Sequence, residues 1–167
     1  MPLKTKENIS LIGAGLSGPV MATYLSSLGF STDIYESRSD MRTNSTSAGR
    51  SINLALSARG IKALKDIGVY EKIKPTLIPM SGRMIHDGNG DVHLQPYGQK
   101  KNEVIYSVPR SNLNKTLMDY AESTNSVNFN FDHELQDIDL KRLKLRFQDR
   151  NIPVSYTHLT LPTTDRV

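Results

Sequence analysis

The sequence has no cysteine and no tryptophan among its 167 residues. Without cysteine the chain forms neither disulfides nor thiolate metal sites, and it is compatible with a reducing compartment. No apolar run approaches the roughly 18 residues of a membrane-spanning helix, and the first ten residues lack the apolar segment of a secretory signal. These absences predict a cytoplasmic protein of one ordinary domain's size with no membrane segment. Without a secretory signal, the glycosylation patterns that begin at Asn8, Asn44 and Asn114 are interpreted as chance matches.

The sequence also lacks the patterns typical of metal sites and of nucleic-acid binding. The four histidines show neither i,i+4 pairing nor neighbouring ligands, so we predict no metal site. No basic run interleaves with aromatic residues, which argues against a nucleic-acid partner. The net charge of +4 is uneven, because residues 1–83 hold 11 Lys or Arg against 6 Asp or Glu, whereas residues 84–167 hold 10 against 11. The positive half suits an anionic cofactor or an acidic substrate, although surface lysines could give the same sum.

The most informative stretch is residues 8–36, which predicts a strand, a glycine turn, a helix and a second strand. An apolar run over residues 9–12 stops at Gly13-Ala-Gly15-Leu-Ser-Gly18. Gly13 permits a tight turn, Gly15 lets the backbone approach a pyrophosphate, and Gly18 lets the helix pack closely on the strand. The helix has a recurring apolar face (Val20, Met21, Tyr24, Leu25 and Leu28) and ends at Gly29.

An acidic residue follows the second predicted strand at the spacing of a dinucleotide site. Glu36 lies 21 residues beyond Gly15, at the carboxyl end of residues 31–35. A carboxylate there can bind both hydroxyls of an adenosine ribose. Pyrophosphate would sit at the N-terminus of the helix, where unpaired N–H groups and the helix dipole favour an anion. Ser17 is interpreted as a residue of this phosphate loop, because the segment is not the GxSxG of a nucleophile elbow.

The later sequence changes from helical to strand-like periodicity. We predict a helix from Ser57 to Gly68, and a hairpin of residues 80–86 and 92–95 around Asp87-Gly-Asn-Gly90. A strand over residues 104–108, a helix over residues 110–123 and three short strands up to Phe147 follow. The predicted fold is therefore α/β, a Rossmann-like βαβ unit interrupted by antiparallel strands at about residues 79–107.

Three further residues could bind an anion, and each also has an ordinary interpretation. Arg110 begins a predicted helix, where a bound anion would offset the unfavourable meeting of a cation with the helix dipole. A screened surface arginine is an equally good interpretation. Arg83 and Tyr97 could together bind a substrate carboxylate, but a surface ion pair and a half-buried tyrosine are the more common outcome.

Several motifs of this sequence resemble the kynurenine 3-monooxygenases, which belong to the FAD-dependent aromatic hydroxylases. These motifs are GAGLSG, YESR, GRSINLALSARG, PMSGRMIHDGNG, QPYG and SVPRSNLN, and the resemblance extends from about Ile9 to about Phe147. It implies FAD as cofactor, NADPH and O₂ as co-substrates, and hydroxylation of L-kynurenine to 3-hydroxykynurenine. The resemblance implies FAD contacts and substrate contacts at Arg83 and Tyr97, and we assign no catalytic acid or base. The implied FAD contacts are Gly13, Gly15, Leu16, Ser17, Gly18, Glu36, Ser37, Arg38, Ala55, Arg110 and Leu135.

The match stops near residue 152, and we predict that residues 153–167 are a non-native or disordered tail. We therefore expect residues 1–152 to be the N-terminal part of a longer monooxygenase domain, incomplete at the C-terminus and inactive by itself. Two alternatives stay open at this point. One is another FAD-dependent aromatic-acid hydroxylase, and the other is a non-catalytic dinucleotide-binding module.

Overall fold

The computed structural model describes residues 8–43, 52–100, 103–142, 144–148 and 151–153. Residues 154–167 of the predicted non-native tail lie outside these residues, as do Asn44 and the start of the GRSINLALSARG motif, whereas Pro153 is described. The described residues form four α-helices, α1 (Ser17–Ser27), α2 (Ala58–Asp66), α3 (Tyr70–Ile73) and α4 (Arg110–Glu122). The strands are β1 (Asn8–Ile12), β2 (Ser31–Tyr35), β3 (Asn53–Leu56), β4 (Ile78–Met80), β5 (Gly82–His86), β6 (Val92–Pro96), β7 (Ile105–Pro109), β8 (Val127–Asn130), β9 (Leu135–Asp139), β10 (Lys144–Phe147) and β11 (Asn151–Pro153).

The predicted βαβ unit is the start of a parallel sheet with the strand order β1-β2-β8. Ile12 of β1 is aligned with Tyr35 of β2, and Tyr35 is in turn aligned with Asn130 of β8. The carboxyl ends of these three strands therefore lie at one edge, where ligands of open α/β sheets bind. Gly13 directly follows β1 and Glu36 directly follows β2, so both residues lie at this edge.

Helix α1 ends where the sequence predicts, although a different face of it is buried. Gly29 has a φ of +90°, and the N–H of Phe30 donates to the Leu25 carbonyl as in a Schellman motif. The apolar face proposed from the sequence is partly wrong, because Met21, Tyr24 and Leu28 are exposed. The buried residues are Pro19, Ala22 and Thr23, since small side chains let the helix approach the sheet closely.

The antiparallel strands form three separate sheets, one of which has the strand order β11-β10-β9. Strand β7 lies between β3 and β4, whereas β5 and β6 form a two-stranded hairpin. The segment predicted as one strand from residue 80 to residue 86 is interrupted at Ser81, so that β4 pairs with β7 and β5 with β6. The expectation of an α/β unit followed by antiparallel strands is confirmed.

Helix α4 connects the parallel and the antiparallel parts of the fold. Its predicted buried residues Leu113, Leu117, Met118 and Ala121 are all buried. Met118 and Ala121 pack with Ala22 and Ile34 of the parallel sheet layer, whereas Leu113 and Leu117 pack with the core around α2, α3 and β7. A third cluster joins Tyr35 to Leu145 and Phe147 of the β9–β10–β11 sheet. Among the helices of the described residues, none is both long and apolar enough to span a bilayer.

Candidate functional site

The glycine turn between β1 and α1 has the backbone geometry that its sequence predicts. Gly13 has a φ of +96°, which favours glycine, and its N–H donates to the Tyr35 carbonyl at 2.7 Å. A Cβ atom at Gly18 would collide with the carbonyl oxygen of Gly13, whereas a Cβ atom at Gly15 would meet nothing within 4 Å. Gly18 is thus required for the packing of helix on strand. The space at Gly15 is open to a ligand.

The N-terminus of α1 faces this open turn. Leu16 precedes the helix, and among the described residues no side chain caps it and no acidic residue lies in its first turn. The first N–H groups of an 11-residue helix therefore remain free of side-chain acceptors beside Gly15 and the exposed Ser17. Such a terminus favours an anion.

Glu36 lies next to the same turn and is 6% exposed. Its Oε2 atom accepts the N–H of Ala14 at 2.8 Å, and its Oε1 atom accepts the N–H of Arg38 at 3.0 Å and Nε of Arg38 at 2.7 Å. The N–H of Glu36 donates to the Asn130 carbonyl at 2.9 Å. Strand β8 therefore helps to place a carboxylate that β2 delivers.

These contacts decide the charge of Glu36. Burial by itself raises its pKa, but the hydrogen bonds from Arg38 and from the Ala14 and Arg38 backbone N–H groups outweigh burial and lower the pKa from 4.5 to about 2. The same ion pair raises the pKa of Arg38, whose side chain is 72% exposed. Glu36 is therefore a carboxylate throughout the neutral range.

The contacts also limit how Glu36 could bind a ribose. A carboxylate has about four acceptor positions, two on each oxygen. Arg38 already fills Oε1 with two donors, and Ser37 Oγ lies 3.3 Å from the same atom. Oε2 holds only the Ala14 N–H and retains one position. Binding of both ribose hydroxyls, as the sequence suggested, would require Arg38 to move.

Three other predicted cofactor residues lie on elements around the turn. Arg110 is exposed and begins α4, where its N–H donates to the Ile52 carbonyl at 3.0 Å. Ala55 is an exposed residue of β3 and is aligned with Ser107 of β7. Leu135 begins β9 and packs against the cluster that contains Tyr35, the residue before Glu36. Their contact with a cofactor stays a prediction.

Of the two predicted substrate residues, Arg83 lies on β5 and Tyr97 directly follows the end of β6 at Pro96. Arg83 is aligned with Gln95, and its Nε donates to Gln95 Oε1 at 2.7 Å. Tyr97 follows two residues after Gln95, and its N–H donates to the Ser81 carbonyl at 3.0 Å. Arg83 and Tyr97 are both exposed.

Asn114 is a residue of the site that the sequence reasoning missed. It lies on the buried face of α4 and is 6% exposed. Its Nδ2 atom donates to the Ala14 carbonyl at 3.0 Å, in the middle of the glycine turn. A polar residue at the helical spacing of Leu117, Met118 and Ala121 was the available signal. Its burial also agrees with the interpretation of its glycosylation pattern as chance.

Arg42 was missed as well, and it attaches the segment after Glu36 to α4. Its guanidinium contacts both carboxylate oxygens of Asp40 and reaches Asp119 at 3.1 Å and Glu122 at 2.8 Å. It also lies over the Phe129 ring, 5.5 Å from the centroid. These acidic partners raise the pKa of Arg42. These contacts use all three nitrogens of the Arg42 guanidinium. We therefore interpret Arg42 as a residue that stabilises the structure beside the site.

A cavity of about 430 Å³ lies between α1, α2 and α4. Its lining includes Leu16 and Ser17 of the turn, together with apolar residues such as Val20, Leu56 and Leu113. Gly15, Glu36 and Arg110 do not line it, so the cavity is separate from the carboxylate of the site. Within the described ranges, no group of three or more His, Asp or Glu side chains could hold a metal ion.

Residues 6–151 match the family of FAD binding domains. A kynurenine 3-monooxygenase of Legionella pneumophila is 39% identical over 156 residues, which is 92% of this chain and 35% of that protein. The enzyme of the same name from Cytophaga hutchinsonii is 46% identical over 134 residues, which is 79% of this chain and 29% of that protein. The chain thus spans about a third of the length of the relatives it matches.

Solved structures of two oxygenases share the fold. The 2-methyl-3-hydroxypyridine-5-carboxylic acid oxygenase superposes with a TM-score of 0.74 at 17% identity, covering 90% of this chain and 38% of that one. A p-nitrophenol 4-monooxygenase of Pseudomonas putida gives a TM-score of 0.66 at 15% identity, covering 87% of this chain and 36% of that one. At these identities the likeness concerns the fold alone.

Proposed function

Because the chain belongs to the family of FAD binding domains, we propose that the glycine turn and Glu36 hold the adenosine and pyrophosphate part of FAD. The observation that carries this proposal is the open space at Gly15 beside an uncapped helix N-terminus. A pyrophosphate there would lie against free N–H groups, and the ribose would reach the remaining acceptor position of Glu36 Oε2. Gly13, Gly18, Leu16 and Ser17 shape the turn.

The remaining cofactor residues belong to the same proposal. Ser37 and Arg38 extend the ribose side of the site, and Arg38 can exchange its contact with Glu36 for a contact with the nucleotide. Arg110 supplies a positive charge at the start of α4 that favours the anionic cofactor. Ala55 and Leu135 are proposed as apolar contacts. FAD supplies the redox chemistry when it is bound, and these residues bind and orient it.

For a protein of the relatives' length that contains this chain, which we call the longer protein, we propose hydroxylation of L-kynurenine to 3-hydroxykynurenine with NADPH and O₂. This proposal is supported by the names of the relatives, which are kynurenine 3-monooxygenases at 39 to 46% identity. Arg83 and Tyr97 would bind the amino-acid carboxylate, because a guanidinium and a phenol can both donate to the same carboxylate. A small-molecule substrate in the cytoplasm is part of this proposal.

The cofactor assignment can be tested with nucleotides that contain different parts of FAD. The 167-residue chain is titrated with FAD, ADP and FMN, and binding is measured by calorimetry. We expect FAD and ADP to bind and FMN to bind at least about tenfold more weakly, because FMN lacks the adenosine that Glu36 would contact. Equal binding of FMN and FAD would contradict the assignment to the adenosine half.

The substrate assignment competes with that of another aromatic-acid hydroxylase. The comparison requires the longer protein, with reduction of bound FAD by NADPH followed in the presence of L-kynurenine or 4-hydroxybenzoate. Stimulation by kynurenine alone would support our proposal, and stimulation by the hydroxybenzoate would support the alternative. Cofactor binding without any substrate response would favour a non-catalytic module.

A further inference from the structure

Both peptide groups of Ala14, the central residue of the glycine turn, are held by side chains from distant parts of the chain. The N–H of Ala14 donates to Glu36 Oε2 at 2.8 Å, and its carbonyl accepts Nδ2 of Asn114 at 3.0 Å. Ala14 itself is fully buried. The orientation of the turn is therefore fixed from the β2 side and from α4.

The amide of Asn114 is unusual in the core, because one of its ends is unsatisfied. Its Oδ1 atom is buried and has no hydrogen-bond partner among the described residues. A buried acceptor without a partner lowers stability, so that a leucine of similar volume would suit the surrounding apolar face of α4 better. Stability alone thus does not account for the amide, whereas the contact with the Ala14 carbonyl does.

Asn114 also relates the turn to Arg110. The two residues are four apart on α4, and residues at this spacing lie on one face of a helix. A hydrogen bond that fixes Asn114 against the turn therefore sets the position of the α4 N-terminus, and with it Arg110, relative to Gly15. No local feature of the turn provides this relation.

We propose that Asn114 is a positioning residue, which orients the phosphate-binding turn and places Arg110 beside it. That the ligand is FAD rests on the proposed function above, whereas the orientation of the turn does not. Asn114 touches the turn and not the ligand. Its loss changes the geometry in which the N–H groups of the turn are presented.

The orientation can be tested without any ligand by amide hydrogen exchange in Asn114→Leu. We expect the Ala14 amide to exchange about tenfold faster, because the turn loses one of its two side-chain contacts. The Ile34 amide in the centre of the parallel sheet reports global unfolding and should not exchange faster. Equal acceleration at Ala14 and Ile34, or none at Ala14, would overturn the proposal. Asn114→Ala provides the same comparison if the leucine variant does not fold.

Thr32→Val is the matched control for removing an unsatisfied buried group. Thr32 Oγ1 is the other buried side-chain atom without a partner among the described residues, and it lies on β2 away from the turn. We expect Thr32→Val to leave the Ala14 exchange unchanged. In calorimetric titrations, Asn114→Leu should bind FAD about fivefold more weakly than the unchanged chain. Thr32→Val should bind FAD with the same affinity as the unchanged chain. If the unchanged chain binds no FAD, the proposed function fails, while the exchange comparison still decides the role of Asn114.

Discussion

Glu36 concentrates the negative charge of the candidate site in a buried position. Three N–H donors from Ala14 and Arg38 surround its two oxygens at distances of 2.7 to 3.0 Å. Charge-assisted hydrogen bonds of this kind are about twice as strong as neutral ones. The carboxylate therefore supports the fold as well as the site, and a ribose would bind to a group that is already oriented.

The lowered pKa of Glu36 predicts a specific loss of stability in acid. Since its folded-state pKa of about 2 lies below the ordinary value of 4.5, the stabilisation is complete above pH 4.5 and is lost as the pH falls towards 2. The shift corresponds to on the order of 3 kcal/mol. Urea denaturation of the unchanged chain and of Glu36→Gln between pH 6 and pH 3 measures it.

We expect Glu36→Gln to be less stable near neutral pH and to lose less stability in acid than the unchanged chain. Glu134→Gln removes an exposed carboxylate and should keep the acid dependence of the unchanged chain. Parallel curves for Glu36→Gln and the unchanged chain would show that Glu36 does not carry this dependence.

Gly15 and Gly18 differ in the space around them, so that an added methyl group should have different consequences at the two residues. Gly15→Ala meets open space, so that its melting temperature should be unchanged while FAD binding weakens about tenfold or more. Gly18→Ala collides with the Gly13 carbonyl and should lose stability together with binding. Thermal melts and FAD titrations of both variants separate the two effects.

Gly88→Ala is the control for these glycine variants. Gly88 also has open space around it, but it lies in the turn of the β5–β6 hairpin. Both its melting temperature and its FAD affinity should match those of the unchanged chain. Normal FAD binding by Gly15→Ala would exclude a close approach of the cofactor at that residue.

At the scale of elements, α4 is the helix to which the other parts of the site are attached. Asn114 joins it to the glycine turn, and Arg42 joins the segment after β2 to its C-terminal half through Asp119 and Glu122. The Arg42 side chain is only 18% exposed, which limits screening by solvent. A guanidinium, with its several N–H donors in one plane, is needed to contact Asp119, Glu122 and Asp40 at the same time.

Arg42→Lys should therefore destabilise the chain by about 1 to 2 kcal/mol although the charge is kept. The ammonium group cannot make the two-atom contact with Asp40 and also reach Asp119 and Glu122. Urea denaturation measures the loss. Lys62→Met is the matched comparison, since it breaks an exposed pair with Asp66 that contributes roughly 0 to 1 kcal/mol. A loss in Arg42→Lys no larger than in Lys62→Met would refute the importance of the network.

At the scale of the whole molecule, the candidate cofactor residues and the candidate substrate residues lie on different sheets. The turn and Glu36 follow strands of the parallel sheet, whereas Arg83 belongs to the β5–β6 hairpin and Tyr97 directly follows it. Every residue of β5 except Gly82 and every residue of β6 is exposed. A substrate bound only to this hairpin would remain in contact with water.

A chimera tests whether these two sheets work together. Residues 8–148 replace the corresponding part of the Cytophaga hutchinsonii relative, which is 46% identical. We expect kynurenine-dependent oxidation of NADPH by the chimera and none by the 167-residue chain alone. Arg83→Met in the chimera should raise KM for kynurenine about tenfold without loss of bound flavin, because a carboxylate partner is removed. Arg142→Met, at another exposed arginine, should leave KM unchanged.

The sequence by itself determined the local features, namely the glycine turn, the end of α1 at Gly29, the hairpin and the buried face of α4. Each depends on residues close together in the chain, where backbone preference and periodicity act. Only the tertiary structure decided that β8 joins β2, that small residues of α1 face the sheet, and that Asn114 and Arg42 support the site. The β2–β8 pairs, the Asn114–Ala14 contact and the Arg42–Asp119 contact join residues 77 to 100 positions apart, and packing rather than local preference selects them.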